Sequence, residues 1–295
     1  MAKTIFRGVG TALVTPFSAN GNVDFEKLKE LTEIQIANGV NAIVACGTTG
    51  EKSTLRHEEH LKVIETIIQT TSGRVPVVAG TGSNDTLYTL ELSKAAQQMG
   101  ADALLMVTPY YNKTSQDGLV RHFTYVADRV RTPIILYNVP SRTGMDIHPE
   151  TYARLCKHPN IVATKEANGN FSAIAKTIRL CGEDLDIYSG NDDQTVAMMA
   201  MGAKGVISVF SNVAPAVMSQ LCQKALAGDF VGATAIQSRY LDVINSMFAD
   251  VNPIPVKEAM NQIGLNVGEC KMPLFPANHQ VKQQIHDALK QAELL

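Results

Sequence analysis

The eight residues QMGADALL, at positions 98–105, join the end of a helical pattern to a short apolar run through a single glycine. The same arrangement recurs as ANGVNAIV at 37–44 and as MGAKGVI at 201–207. Glycine at the end of a helix adopts the left-handed conformation that stops it. A short apolar run bounded by such turn signals is typical of a buried strand. The repeat therefore predicts units in which a helix turns directly into a strand.

Around this repeat, short apolar runs alternate with longer segments of helical periodicity. The runs occupy residues 9–14, 42–46, 75–79, 103–107, 134–137, 161–164, 185–189 and 206–209. Their almost continuous apolar character indicates strands buried on both faces, as in a parallel sheet. Eight strand–helix units without a break in composition predict an α/β fold, the (β/α)₈ TIM barrel. A doubly wound sheet uses the same units and is the alternative.

Helix boundaries and the end of the strand pattern divide the chain. Asp24 and Asp85 are expected to cap helices that end near Gly39 and Gly100. After residue 228 the strand signals stop, and helices are predicted at the end of the chain, at 229–249, 253–263 and 280–293. We therefore expect a catalytic barrel at 1–228 and a small C-terminal helical region at 229–295.

Composition and charge exclude several classes of protein. Of the 295 residues, 45% are hydrophobic and 18% are charged, which excludes a disordered or fibrous chain. The 26 basic and 28 acidic residues give a net charge of −2, so no nucleic-acid or anionic-membrane partner is expected. The five cysteines are scattered and the N-terminus has no signal-peptide pattern. No apolar run approaches a membrane span, and a cytoplasmic location is predicted.

Three motifs resemble cofactor sites without fulfilling them. GTTGEKS at 47–53 lacks the spacing of a phosphate-binding loop, and GTGSND at 80–85 lacks the third glycine of a dinucleotide motif. HEEH at 57–60 has the two histidines three residues apart rather than four, and we expect it at an exposed helix start. The sequence thus predicts no metal, nucleotide or other cofactor.

The residue that indicates chemistry is Lys165. In a parallel barrel, side chains at the carboxyl ends of the strands meet at one mouth. Lys165 follows the apolar run 161–164, which should bury it. Burial disfavours the charged form of an amine, and a neutral amine is a nucleophile toward carbonyl carbon. The alternatives are a lysine that extends from the rim into solvent or one that pairs with Glu166.

Hydroxyl groups are expected at the same mouth. Tyr111 and Tyr137 could relay the protons that Schiff-base chemistry transfers, linked by a threonine hydroxyl from Thr48 or Thr49. The alternatives are tyrosines that only pack and threonines that only form a turn.

A cationic group is expected there too. Arg142, between Pro140 and Gly144, offers its guanidinium to a substrate carboxylate. Its alternative is a surface ion pair with Asp146 or Glu150. The complete set is typical of an aldolase that handles carboxylic acids.

Three motifs then suggest a family. GTTGE at 47–51, YNVPSRTG at 137–144 and KEA at 165–167 resemble the pyruvate-dependent class I aldolase family typified by dihydrodipicolinate synthase. The resemblance runs from about residue 8 through the C-terminal helices, including NPIPVK at 252–257. The first and third motifs occur in related form in N-acetylneuraminate lyases and sugar-acid aldolases. The motif around Arg142, with Tyr110-Tyr111, is more particular to the synthases.

The resemblance implies a lyase of lysine and diaminopimelate biosynthesis that needs no cofactor. Lys165 would form a Schiff base with pyruvate, and the resulting enamine would attack L-aspartate 4-semialdehyde before the ring closes. The implied roles are a proton relay for Thr48, Tyr111 and Tyr137, pyruvate-carboxylate binding for Thr49, semialdehyde binding for Arg142, and pocket-lining backbone at Gly190 and Ile207. Tyr111 would reach the neighbouring subunit's site in a tight dimer, and two dimers would form a homotetramer.

The resemblance also implies a cleft for feedback inhibition by lysine. The matching positions hold Ser53, His57, His60, Asn84 and Tyr110. Two neighbours depart from the inhibited pattern, since Lys52 replaces a small serine and Tyr88 replaces a glutamate. An added cation and a lost carboxylate should both weaken binding of a cationic amino acid, so weak or absent inhibition is expected.

Two other functions are compatible with this pattern. A related pyruvate aldolase or lyase could cleave a sugar acid or a hydroxy-oxo acid, although a polyol calls for hydroxyl and carboxylate partners rather than for Arg142. A catalytically silent barrel could bind a keto acid and regulate a partner. The joint presence of Lys165, both tyrosines and both threonines argues against the silent barrel.

Overall fold

The computed structural model describes residues 4–295 and contains eight parallel strands that pair in sequence order around a closed barrel. The strands are β1 (Gly8–Ala12), β2 (Ala42–Ala45), β3 (Val77–Gly80), β4 (Ala103–Val107), β5 (Ile134–Asn138), β6 (Ile161–Glu166), β7 (Asp186–Ser189) and β8 (Gly205–Ser208). β1 also pairs with β8, Gly8 opposite Gly205, which closes the sheet. The TIM-barrel prediction is confirmed and the doubly wound alternative is wrong. Residues 1–3, part of the stretch considered for a signal peptide, lie outside the described residues.

Helices connect the strands on the outside of the barrel. They are α1 (Phe25–Ala37), α2 (His57–Thr71), α3 (Thr86–Met99), α4 (Gln116–Ala127), α5 (Pro140–Thr143), α6 (Pro149–Leu155), α7 (Phe171–Cys181), α8 (Thr195–Ala200) and α9 (Pro215–Leu226). The predicted caps are confirmed. The Asp24 carboxylate accepts from the amide of Lys27, and Asp85 accepts from the second and third residues of α3. Gly100 ends α3 with a φ of 91°.

Four further helices follow the barrel: α10 (Phe230–Arg239), α11 (Leu241–Ser246), α12 (Ile254–Gln262) and α13 (His279–Gln291). The single helix predicted at 229–249 is wrong, because the chain forms two helices that meet at Tyr240. The break lets α10 pack on α9 while α11 packs on α13. The other two predicted helices are confirmed to within two residues. The boundary at residue 228 stays a prediction.

The apolar core has two parts. A large cluster fills the layer between strands and helices, and a smaller one fills the barrel interior. At the amino end of the strands, the rings of Phe6 and Tyr188 stack with centroids 4.2 Å apart, and the Tyr188 hydroxyl donates to the Phe6 carbonyl at 2.7 Å. A Cβ on Gly10 would lie 2.7 Å from the Phe6 ring, so glycine makes room for it. The interior is therefore closed at this end.

Within residues 4–295 no helix is long and apolar enough to cross a membrane.

Candidate active site

Lys165 lies inside the barrel, in one row with two tyrosines. The register places Lys165 opposite Tyr137 of β5 and opposite Tyr188 of β7. The lysine side chain is buried, and its Nζ lies 4.4 Å from the centroid of the Tyr137 ring. The interpretation of Lys165 as a rim lysine reaching into solvent is therefore wrong. Pairing with Glu166 is wrong as well, because successive strand residues point to opposite faces and Glu166 bonds other groups.

A cavity of about 510 Å³ opens at the carboxyl ends of the strands, above Lys165. Six of the eight residues predicted for catalysis and substrate binding line it: Thr48, Thr49, Tyr137, Arg142, Lys165 and Gly190. A larger groove of about 850 Å³ lies between the loop after β1 and residues 266–272 and contains none of them. The predicted residues thus share one chamber, and we take it as the candidate active site.

The other two predicted residues do not line this cavity. Ile207 is fully buried within β8, in the interior apolar cluster. Tyr111 has a φ of 69° and is 92% exposed, so its side chain lies on the surface of its own chain. Tyr111 can therefore act in catalysis only at a site other than the cavity of its own chain.

The loop that carries Thr48 and Thr49 is fixed by the C-terminal region. Glu51 pairs with Lys257 of α12 at 2.6 Å, with both side chains buried, and accepts from the amide of Lys271 at 2.8 Å. The Lys257 ammonium also lies 4.0 Å from the centroid of the Phe17 ring. Burial lowers the pKa of Lys257, and the Glu51 carboxylate opposes this effect. Both residues belong to motifs seen in the sequence, GTTGE and NPIPVK, but nothing in their spacing pairs them.

Arg142 lies at the mouth of the cavity. Its Nη2 donates to the carbonyl of Asn252 at 3.2 Å, and its side chain is exposed. The alternative ion pair with Asp146 or Glu150 is wrong, because Asp146 accepts from Asn138 at 2.6 Å and Glu150 pairs with a lysine of α7. The guanidinium therefore faces the mouth without a carboxylate from either of these residues.

A second network holds β5 and β6 together behind the cavity. Asn138 follows Tyr137 and Glu166 follows Lys165, and the two lie opposite each other in the strand register. The Asn138 amide nitrogen donates to the two carboxylate oxygens of Glu166 at 3.0 and 3.2 Å. Glu166 also accepts from the Tyr152 hydroxyl at 2.9 Å. Burial raises the pKa of Glu166 to about 7, although the hydrogen bonds from Asn138 and Tyr152 oppose this rise. The network fixes the strand ends that present the tyrosine and the lysine.

Comparison with known proteins identifies the family. The model of the dihydrodipicolinate synthetase family matches residues 5–292. The chain belongs to this family. Curated relatives named 4-hydroxy-tetrahydrodipicolinate synthase include that of Geobacter metallireducens, 50% identical over 99% of this chain and 100% of its own length. The protein of that name from Acetivibrio thermocellus is 47% identical over the full length of both chains.

Solved structures of the dihydrodipicolinate synthases agree with this assignment. The chloride-inhibited enzyme from Acinetobacter baumannii complexed with pyruvate has a TM-score of 0.97 and 43% identity, over 99% of this chain and 100% of its own. The enzyme from Thermotoga maritima has a TM-score of 0.96 and 40% identity, over 99% and 100% of the chains. The resemblance noted in the sequence is confirmed, and the chain is a lyase of the class I aldolase type.

Of the residues at the cleft that the family resemblance implied, His60 is placed differently from the sequence expectation. His60 is buried, with Nε2 2.9 Å from the Gly80 carbonyl. The expectation that the HEEH motif is exposed is therefore wrong for this histidine. Burial lowers the pKa of His60 to about 4, with Lys52 contributing, so the ring is neutral near pH 7. His57 is half-buried, and its Nδ1 lies 3.3 Å from the Tyr88 hydroxyl.

The other residues named for this cleft, and the substituted Lys52, make contacts of their own. Lys52 donates from Nζ to the carbonyl of Gly82. Tyr110 is half-buried and contributes to a raised pKa of Tyr88, behind the larger effects of burial and Glu91. Ser53 is exposed, and the Asn84 carbonyl accepts from Asn112 at 2.9 Å. Across residues 4–295 no three histidine, cysteine, aspartate or glutamate side chains are grouped so that they could hold a metal ion.

Proposed function

We propose that the chain condenses pyruvate with L-aspartate 4-semialdehyde, the 4-hydroxy-tetrahydrodipicolinate synthase reaction of diaminopimelate and lysine biosynthesis, with Lys165 as the residue that forms the Schiff base. The observation that carries this proposal is a buried lysine at the base of a cavity that also holds two threonine hydroxyls, a phenol and an arginine. Curated relatives of the same length bear the name of this activity.

The first half of the reaction uses the closed part of the cavity. The Lys165 amine attacks the keto carbon of pyruvate, and the carbinolamine loses water to give an imine. Loss of a methyl proton from this imine gives the enamine. Thr49 donates to the pyruvate carboxylate, and Tyr137 and Thr48 carry protons to and from the reacting atoms. The Tyr137 ring, 4.4 Å from the Lys165 nitrogen, supports this role for its hydroxyl.

The second half joins the two substrates. The enamine carbon attacks the aldehyde carbon of the semialdehyde, whose carboxylate pairs with Arg142 at the mouth. The amino group of the semialdehyde then attacks the imine carbon and displaces the Lys165 nitrogen, which closes the ring and frees the enzyme. In this proposal the backbone of Gly190, which lines the cavity, borders the bound substrate, whereas Ile207 lies outside the lining of the cavity.

Tyr111 completes the proton relay from a second subunit. Its 92% exposure on its own chain supports insertion into the neighbouring site of a tight dimer, and two such dimers form a homotetramer. The balanced charge of the chain supports an enzyme without a nucleic-acid or membrane partner, and its five free cysteines support a cytoplasmic location.

Reductive trapping tests the proposal. After incubation with pyruvate and borohydride, the intact mass should rise by about 72 Da, the reduced pyruvate imine. Peptide mapping should place the adduct on Lys165 and leave Lys257, which is equally buried, unmodified. The Lys165→Ala variant should gain no mass. Folded native protein without an adduct would contradict the Schiff base, and an adduct without turnover of aspartate semialdehyde would contradict the acceptor.

A further inference from the structure

Asn252 is a polar residue of the C-terminal region that lies inside the candidate active site. It belongs to the segment between α11 and α12, is 5% exposed, and lines the same cavity as Lys165 and Tyr137. No role for Asn252 follows from the NPIPVK motif that it begins.

Asn252 contacts both residues that we propose to bind substrate carboxylates. Its side-chain Nδ2 donates to Thr49 Oγ1 at 3.0 Å, and its main-chain carbonyl accepts from Arg142 Nη2 at 3.2 Å. Thr49 lies 203 positions away in the sequence and Arg142 lies 110 positions away. One residue of the C-terminal region thus connects two separate loops of the barrel mouth.

The direction of the bond to Thr49 determines what the threonine can do. A hydroxyl has one proton to donate and two lone pairs that accept. Because Thr49 accepts from the Asn252 amide, its own proton stays available for another acceptor. Thr49 is 2% exposed, so bulk water scarcely competes for that proton. The arrangement suits donation to a carboxylate bound in the cavity.

Within the described chain, the second polar atom of the Asn252 side chain is an unpaired acceptor inside the site. Its Oδ1 is buried and has no hydrogen-bond partner among the described residues, 4–295. A buried acceptor left unpaired lowers stability, and such groups are concentrated at functional sites. The side chain is therefore oriented toward Thr49 in spite of the unpaired oxygen.

We propose that Asn252 is a positioning residue that sets the affinity for both substrate carboxylates. Its amide directs the Thr49 hydroxyl proton toward the carboxylate of pyruvate. Its carbonyl holds the Arg142 guanidinium at the mouth, where the carboxylate of the second substrate binds. The inference rests on the proposed function, and it adds the C-terminal region to the elements that recognise substrate.

The Asn252→Asp variant tests the role of the amide, because the two side chains have nearly the same shape. A carboxylate accepts the Thr49 proton instead of donating to the hydroxyl, and its charge repels a bound carboxylate. We expect KM for pyruvate to rise by about tenfold or more while kcat changes by less than about threefold. A purely structural defect would lower kcat or the amount of folded protein without a selective rise in KM for pyruvate.

A double-mutant cycle tests whether Asn252 acts through Thr49. In a Thr49→Val background the hydroxyl is absent, so Asn252→Ala should raise KM for pyruvate by less than about twofold, against a larger rise in the native background. Asn245→Ala, at an exposed asparagine of α11, is the matched control and should behave as the native enzyme. Additive effects of the two substitutions would overturn the proposal.

Reductive trapping separates this inference from the proposed function. The Asn252→Asp variant should still give the pyruvate adduct at saturating pyruvate, with half-maximal trapping at a higher concentration than the native enzyme. If Asn252→Asp does not fold, as judged by circular dichroism, Asn252→Ala and Asn252→Ser serve with the same readout. Native trapping with unchanged half-maximal concentrations in these variants overturns the role of Asn252. Absence of the native adduct overturns the proposed function itself.

Discussion

At the scale of single residues, Lys52 changes what the neighbouring cleft can bind. Its ammonium contacts the Gly82 carbonyl beside buried His60. Burial lowers the pKa of Lys52 to about 8, although Cys46 opposes this decrease. In most molecules the Lys52 side chain is therefore charged near neutral pH. Tyr88, which bonds His57, offers no carboxylate to a cationic ligand. The cleft therefore carries an added positive charge at Lys52 and lacks, at Tyr88, the carboxylate that would pair with an ammonium group.

We predict that L-lysine inhibits this enzyme weakly, without half-inhibition at submillimolar concentration, in a steady-state assay. The Lys52→Ser variant removes the cation and should be more sensitive to L-lysine than the native enzyme. Lys94→Ser, at an exposed lysine of α3, is the control and should leave the inhibition curve unchanged. Strong inhibition of the native enzyme would contradict this account of the cleft.

The residues of the site differ in how far the sequence predicted them. Lys165 and Tyr137 lie near the carboxyl ends of apolar strands, and Thr49 lies in the loop after another, so the barrel topology alone brings them to one mouth. Asn252 and Lys257 reach the site from the C-terminal region, through contacts that span about 200 residues. Helical periodicity describes a segment by its own residues and contains no information on such long-range partners.

At the scale of elements, the ends of β5 and β6 depend on a buried carboxyl group. Glu166 bonds Asn138 of β5 and Tyr152 of α6, and its pKa is raised to about 7, mainly by burial. In the unfolded chain the pKa of this carboxyl group is near its ordinary value of 4.5. Unfolding at an intermediate pH therefore releases a proton. The protonated Glu166 carboxyl contributes fully to stability when the pH is below its unfolded-state pKa. This contribution is lost as the pH rises through about 7.

We predict that Glu166→Gln abolishes this part of the pH dependence, because glutamine stays neutral throughout. Relative to the native protein, the free energy of unfolding of the variant should increase by about 3 kcal/mol between pH 4 and pH 8. Urea unfolding across this range measures the difference. Glu183→Gln, at an exposed position, should follow the native curve. A variant that runs parallel to the native protein would show that folding leaves the pKa of Glu166 unchanged.

The elements also show where prediction from sequence ends. The strand at 103–107 is predicted to the residue, because a strand buried on both faces is marked by its own apolar composition. The break at Tyr240 is not predicted, since no glycine or proline lies beside it and the one glycine within 229–249, Gly232, is eight residues away. It arises from packing, α10 against α9 and α11 against α13, and packing between distant elements is not encoded in local periodicity.

At the scale of the whole molecule, the exposed Tyr111 predicts active sites shared between subunits. Each variant of the pair Lys165→Ala and Tyr111→Phe should be inactive or nearly so. When the two are unfolded together in equal amounts and refolded, mixed dimers contain one site with both native residues. Random pairing then restores about a quarter of the native activity in a steady-state assay.

A second mixture controls for this complementation. Tyr137 and Lys165 line the same cavity of one chain, so mixing Tyr137→Phe with Lys165→Ala should restore no activity. Equal recovery in both mixtures, or none in either, would contradict a catalytic role for Tyr111 across the interface.

The stacked Phe6 and Tyr188 rings impose an order of events on the reaction. Together with the apolar cluster that fills the barrel interior, they close its amino end, so reactants and products all pass through the mouth beside Arg142. The keto acid, which reacts at the greater depth, has to arrive before the aldehyde. The water formed with the imine has to depart before the aldehyde occupies the passage. A chamber with one entrance thus makes the first half-reaction a precondition of the second, and the aldehyde can bind productively only to an enzyme that already carries its first substrate.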